Sequence, residues 1–238
     1  MTLMLGIDTA TTGCSVALMD GATCLAENQS RMPRGQSEAL APMIEDAMKS
    51  AGISFDRLDG IAVTRGPGAF TGLRIGLAAA RAMALSIAKP CIGITTFDSL
   101  SAQARQRKNI ETGTALLVAI ESKRAEIFVS IYGSDDTLLI ESSAVRPEAI
   151  EKMPEGITSV VIVGDASQKV ESALIGCIDV RRIEDIEIPD AKVVASLGLN
   201  LLGTPELATP TPFYLRPPEA SIPKQKKRLQ ASFLIHKV

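Results

Sequence analysis

Apolar residues along this chain alternate between short runs and helical stripes. Leu3 to Ile7 form an apolar run that predicts a strand ending at Asp8, followed by Thr9, Ala10, Thr11, Thr12 and Gly13. Residues 14–19 predict a second strand. Asp20-Gly21 is a two-residue hairpin signal, and residues 22–29 return as a third strand. From Ser37, the residues Leu40, Met43, Ile44, Ala47 and Met48 fall on one stripe, so a helix is expected over 37–49 with Gly52 ending it. Pro42 sits inside that helix, where it removes a backbone donor and is expected to bend it.

The stretch from Gly60 to Ala84 is the most informative. Its first residues, 60–63, read as a buried strand, and Gly66, Pro67, Gly68 and Gly72 then build a glycine-rich turn. No Lys-Ser or Lys-Thr follows, so the turn is not a P-loop. The helix expected over 72–88 has Thr71 placed to cap it. Gly72, Gly76, Ala80 and Ala84 recur every fourth residue, a spacing that lets a second helix approach to about 8 Å or packs the helix tightly within its own domain. Arg74 and Arg81, seven apart, share one helix face.

The rest of the chain repeats the theme. A strand is expected over 91–94, a helix capped by Thr95-Thr96 through 106, and a polar boundary over 103–113. Strands are then expected over 115–120, 125–132, 137–142 and 160–163, with a turn over 133–136. Helices begin at Ser167 and at Asp190, the latter running to 202. Each half is thus β-β-β-α-β-α-like, which predicts a duplicated α/β architecture with a mixed sheet in each half. The subdomains are expected at 1–104 and 105–211.

The chain has 238 residues, 46% of them hydrophobic and 22% charged, with a net charge of −2. These values suit a globular protein with a real core and no global attraction to nucleic acid. Neither a leader pattern nor an apolar run of about 18 residues is evident, so the expected location is the cytoplasm, with no membrane contact. Cys14, Cys24, Cys91 and Cys177 have no metal-type spacing and read as buried free thiols, with Cys14 and Cys24 facing each other across the hairpin. The single histidine, His236, excludes a His-rich zinc site and a Ser-His-Asp triad.

Four segments, LGIDTATTGCSVALMDG (5–21), VTRGPGAFTGLRIGLAAARAMA (63–84), ITTFDSL (94–100) and PFYLRPPEAS (212–221), resemble the TsaB family, also called YeaZ. Its members are non-catalytic partners of TsaD in synthesis of N6-threonylcarbamoyladenosine at tRNA position 37. The resemblance implies a two-subdomain ASKHA fold, like actin, Hsp70 and sugar kinases, with the tail 212–238 packing back on the first subdomain. Gln36 departs from the histidine usual at that position, which argues against a metal or acid–base role there. Glu219-Ala220-Ser221 stands where many relatives have a lysine.

The resemblance also implies a docking face for TsaD on the helices at 37–49 and 72–88. Leu40, Met43, Ile44, Gly72, Leu73, Gly76, Leu77, Ala80 and Met83 are its candidate residues, and the same face is expected to serve a homodimer when TsaD is absent. TsaE is the expected ATPase partner, and tRNA is met through the complex. Asp8, Thr9, Thr11, Thr12 and Gly164 mark a vestigial nucleotide site, with at most weak ATP or ADP binding and no cofactor or metal. A lone glycine before Asp165 thins the second phosphate loop, and the HxxxH pair of TsaD is missing. The alternative reading is a competent ATP-dependent carbamoyltransferase or a metalloprotease-like enzyme of the same fold. Lys224, Lys226, Lys227 and Arg228 form a small basic cluster in the tail that is a candidate tRNA contact.

Overall fold

The computed structural model describes residues 2–150, 153–204 and 210–216. The first half contains β1 (Leu3–Asp8), β2 (Gly13–Asp20), β3 (Thr23–Arg31), α1 (Gln36–Ala51), β4 (Gly60–Gly66), α2 (Phe70–Ser86), β5 (Cys91–Thr95) and α3 (Thr96–Arg107). The second contains β6 (Thr114–Ile120), β7 (Ile127–Tyr132), β8 (Leu138–Val145), β9 (Ser159–Val163), α4 (Ser167–Leu174), β10 (Asp179–Arg182) and α5 (Ala191–Leu201). The strand orders are β3-β2-β1-β4-β5 and β10-β9-β6-β7-β8, which are the same topology read from opposite edges. In each sheet the first strand pairs antiparallel with the second and parallel with the fourth.

The central strands are apolar on both faces because both faces are covered. Leu3, Leu5 and Ile7 of β1 join Leu40, Ile44 and Leu77 in the core beneath α1 and α2. Met4 points the other way, toward Val194 and Ala195 of α5. In β6, Leu116, Val118 and Ile120 meet Phe97 and Leu100 of α3, while Ala115, Leu117 and Ala119 meet Val170 and Leu174 of α4. The order of layers is therefore α1/α2, first sheet, α5 and α3, second sheet, α4.

The helix layers cross between the two halves of the sequence. Helix α5, from the second half of the sequence, covers the first sheet, and α3, from the first half, covers the second. Asp190 fixes the crossing: its carboxylate accepts the Lys192 N–H (2.8 Å), while its own N–H donates to Gln103 of α3 (3.1 Å). The next N–H, from Ala191, donates to Ser15 of β2 (2.8 Å). Asp190 thus caps α5, as the sequence predicts.

Several local expectations change. The hairpin turn is Gly21-Ala22, because Asp20 pairs with Thr23. Cys14 pairs across the ladder with Ser30 and Cys24 with Met19, so the two thiols do not face each other, and Cys24 and Cys177 are exposed. Helix α1 runs continuously through Pro42, which is exposed. Thr71 lies inside α2, whose cap position is Ala69 and has no side-chain bond.

Candidate functional site

The turn after β1 is clamped from three sides. Asp8 is fully buried, and its Oδ1 accepts from the Thr64 hydroxyl (2.6 Å) and the Ala10 N–H (3.0 Å). Its Oδ2 has no partner among the described residues. Burial pushes the Asp8 carboxyl up to about 7 against the lowering effect of those hydrogen bonds, and nearby Asp165 adds to the rise. Thr9 donates its hydroxyl to the Gly72 carbonyl (2.7 Å), and Ala69 N–H reaches the Ala10 carbonyl (2.7 Å).

The small stripe of α2 exists for this clamp. A Cβ on Gly72 would overlap the Thr9 carbonyl, and one on Gly76 would overlap the Thr9 hydroxyl. Gly72, Leu73, Gly76, Leu77 and Ala80 are buried in the chain's own core, as are Leu40 and Ile44 of α1. These seven candidate docking residues are therefore inward-facing. The fourfold spacing records helix against turn and sheet, the intradomain reading of that pattern. Met43 and Met83 are half-buried between the two helices.

The outward side of α2 carries a second stripe that the first one masks. Ile75 is half-buried, while Ala78, Ala82 and Leu85 are exposed, Leu85 to 83%. Their spacing of three, four and three residues is that of a helix–helix seam, and this signal was available in the sequence.

At the corresponding strand end of the second sheet, Gly164 adopts φ +102° and its N–H donates to the Ile186 carbonyl (2.8 Å). A Cβ there would overlap the Ala119 carbonyl. Asp165 accepts the Glu121 N–H (2.7 Å), and burial raises its carboxyl to about 6.

Between the halves lies a cleft of about 960 Å³. Thr11 lines it. Asp8, Thr9 and Gly164 are buried and off its lining, and the half-buried Thr12 is off it too, so one of the five candidate nucleotide residues faces the cleft. Gln36 is also on the lining, but its amide donates to the Met32 carbonyl (2.9 Å) and closes the loop before α1.

The tail forms the cleft's outer wall. Phe213 N–H donates to the Arg65 carbonyl (2.7 Å), and the Tyr214 ring lies 5.5 Å from Phe70. Arg74 stacks over Phe70 at 3.8 Å and donates to the Tyr214 hydroxyl (3.2 Å). Arg216 pairs with Glu126 of the second half, so residues 213–216 touch both halves. Lys224, Lys226, Lys227, Arg228 and His236 lie outside the described residues. Among the described residues no group of three or more His, Cys, Asp or Glu side chains could hold a metal ion, and no helix is long and apolar enough to cross a membrane.

Two like sheets with a helix of each half laid on the other, flanking a central cleft, define a protein of the ASKHA class. YeaZ from Pseudomonas aeruginosa has this fold, with a TM-score of 0.77 at 24% identity over 90% of this chain and 100% of that one. The family model described as TsaD, tRNA N6-adenosine threonylcarbamoyltransferase, matches residues 30–173. The tRNA threonylcarbamoyladenosine biosynthesis protein TsaB of Escherichia coli K12 is 36% identical over 170 residues, 69% of this chain and 72% of that protein. Its counterpart from Buchnera aphidicola (subsp. Schizaphis graminum) is 30% identical over 176 residues, 71% of this chain and 81% of its own. The chain belongs to the TsaB family, and its role lies in tRNA threonylcarbamoyladenosine biosynthesis.

Proposed function

We propose that the chain is a non-catalytic subunit of the tRNA threonylcarbamoyladenosine machinery, docking the catalytic paralogue TsaD through the outward faces of α1 and α2. The observation that carries this reading is the apolar strip Ile75, Ala78, Ala82 and Leu85, flanked by the half-buried Met43 and Met83. A continuous exposed apolar strip marks an interaction surface. Alanines at its centre permit close helix approach, and methionines adapt to more than one partner. The same strip serves a homodimer when TsaD is absent.

The withdrawn residues support the non-catalytic part. Asp8 is fully buried with one oxygen already bonded to Thr64 and Ala10, and Gly164 is pressed against Ala119 rather than open to a phosphate. ATP and ADP are therefore held weakly if at all, and ATP hydrolysis falls to TsaE. The complex works in the cytoplasm and meets tRNA as an assembly.

Leu85→Glu combined with Ala82→Glu tests the docking face, because both side chains are exposed and the fold does not need them. The double variant is expected to keep the wild-type unfolding curve while co-purification with TsaD falls at least tenfold and tRNA modification in the reconstituted system is lost. Full TsaD affinity in the folded variant would place the interface elsewhere. Turnover of threonylcarbamoyl-AMP on tRNA by the purified chain, without TsaD, would overturn the non-catalytic assignment.

A further inference from the structure

The cleft presents more hydrogen-bond donors and positive charge than the fold itself uses. Five cationic side chains line it, Arg34, Arg74, Lys123, Arg124 and Arg216, against one carboxylate, Glu121. Glu121 is already occupied, pairing with Lys169 and accepting the Lys123 N–H at 2.8 Å. Arg34, Arg74 and Lys123 have no carboxylate partner among the described residues.

Two helix N-termini open onto the same space. Neither α1 nor α2 has a side-chain cap. The backbone N–H groups of Gln36 and Ser37, and of Phe70, Thr71 and Gly72, have no acceptor among the described residues, and all five residues line the cleft. Such ends carry partial positive charge and free donors that suit an anion. Thr11 adds an independent observation. It is 4% exposed, lines the cleft, and its hydroxyl is buried without a partner among the described residues. A buried hydroxyl in that state costs free energy unless something outside the chain satisfies it.

We propose that this cleft is a phosphate-binding groove that takes the backbone of a single-stranded RNA segment. The charge calls for a polyanion. Phe70 and Tyr214 at the rim, exposed to 48% and 39%, offer aromatic surface on which bases stack, with Arg74 already covering one face of Phe70. A free nucleotide fits less well, because Asp8, Thr9 and Gly164, the candidate grip on a triphosphate, are buried and off the lining. The donors are instead spread over two helix ends and both halves. The volume, about 960 Å³, stands at the top of the range of about 300–1,000 Å³ for small-molecule pockets. The identity of the strand as RNA rests on the tRNA-modification reading; the groove's anion chemistry does not.

The test is fluorescence anisotropy of a labelled 12-nucleotide single-stranded RNA with the full chain, between about 50 and 200 mM salt. Each neutralised phosphate contributes about −0.7 to the slope of log affinity against log salt for a single strand. Three cations without a carboxylate partner therefore give a slope of about −2, and Arg34→Gln with Lys123→Gln is expected to reduce it by about 1.4 and weaken binding about tenfold at low salt. Thr11→Val is expected to weaken RNA binding several-fold without lowering the unfolding temperature, which separates a ligand role from a structural one. RNA binding unchanged in these variants overturns the proposal. So does saturation of the cleft by ATP with no competition from RNA, or displacement of the RNA by poly-glutamate of equal charge. The Arg34/Lys123 variant is expected to co-purify with TsaD as the wild type does. Failure of the RNA measurement alone thus removes the groove and leaves TsaD docking standing, while loss of TsaD docking in the wild type leaves the RNA measurement untouched.

Discussion

The two halves match strand for strand, yet they differ in what covers their outer faces. The first sheet carries two long helices, α1 of 16 residues and α2 of 17. At the corresponding places, the second has a three-residue 3-10 turn at Pro147–Ala149 and the eight-residue α4. One sheet core has been built twice, but only one half has an extended helical layer with an apolar strip left over on its outside. The sheet therefore accounts for stability in both halves, and the surplus helix surface in the first is where a partner finds purchase.

Two buried glycines, Gly164 after β9 and Gly76 within α2, provide the severest test of that equivalence. Gly164→Ala combines a backbone at φ +102° with an overlap onto the Ala119 carbonyl, and it should cost about 3 kcal/mol or more in urea unfolding. Gly76→Leu in the first half should be similarly disruptive, through the Thr9 hydroxyl. If Gly76→Leu leaves stability intact while abolishing TsaD binding, the buried stripe is an interface after all and the inward assignment fails.

Asp8 distinguishes the halves by pH. Its native carboxyl holds a proton up to about pH 7, whereas the unfolded group releases it near 3.8. The native state then binds more protons in that interval, so this group's contribution to stability is fully present at low pH and is lost as pH rises through about 7. Asp8→Asn is expected to raise stability by roughly 2–4 kcal/mol at pH 8 and by much less at pH 5, at about 1.4 kcal/mol per pKa unit. Asp165, raised only to about 6, should show the same sign and a smaller gain. An Asp8→Asn variant destabilised at pH 8 would show that the carboxylate is satisfied by something not seen here.

Loss of the Asp190 cap should cost about 1 kcal/mol in an Asp190→Ala variant. If α5 belongs to the first half's core, the loss appears in the main unfolding transition rather than in a separate one. The smallest effect on stability belongs to Leu85→Glu, within about 0.5 kcal/mol, since the side chain is 83% exposed.

Short apolar runs made the sheet legible: the strands expected over 3–7, 60–63, 115–120 and 160–163 all appear within a few residues of their observed bounds. The helix ends at Gly52 and Thr95 were legible through local chemistry, the first by a left-handed cap and the second by a hydroxyl bonding the Asp98 N–H. Strand β10 was not, because Asp179–Arg182 is a charged edge strand with a single apolar residue, Val180. The exchange of α3 and α5 was also hidden, since amphipathic periodicity says that a face is buried but not against what. The same limit explains the docking stripe. Gly72, Gly76 and Ala80 advertise close packing, and only the position of Thr9 reveals that the neighbour is the chain itself.

The crossed helices also bear on how the protein is made. The first sheet, complete in its strands by Thr95, lacks the cover for its second face until residues 191–201 have been synthesised. A nascent chain halted anywhere between those points displays Met4, Ala62 and Ile92 to the cell. Its first half stays vulnerable to misassembly until α5 is made, after every strand of the second sheet has been synthesised.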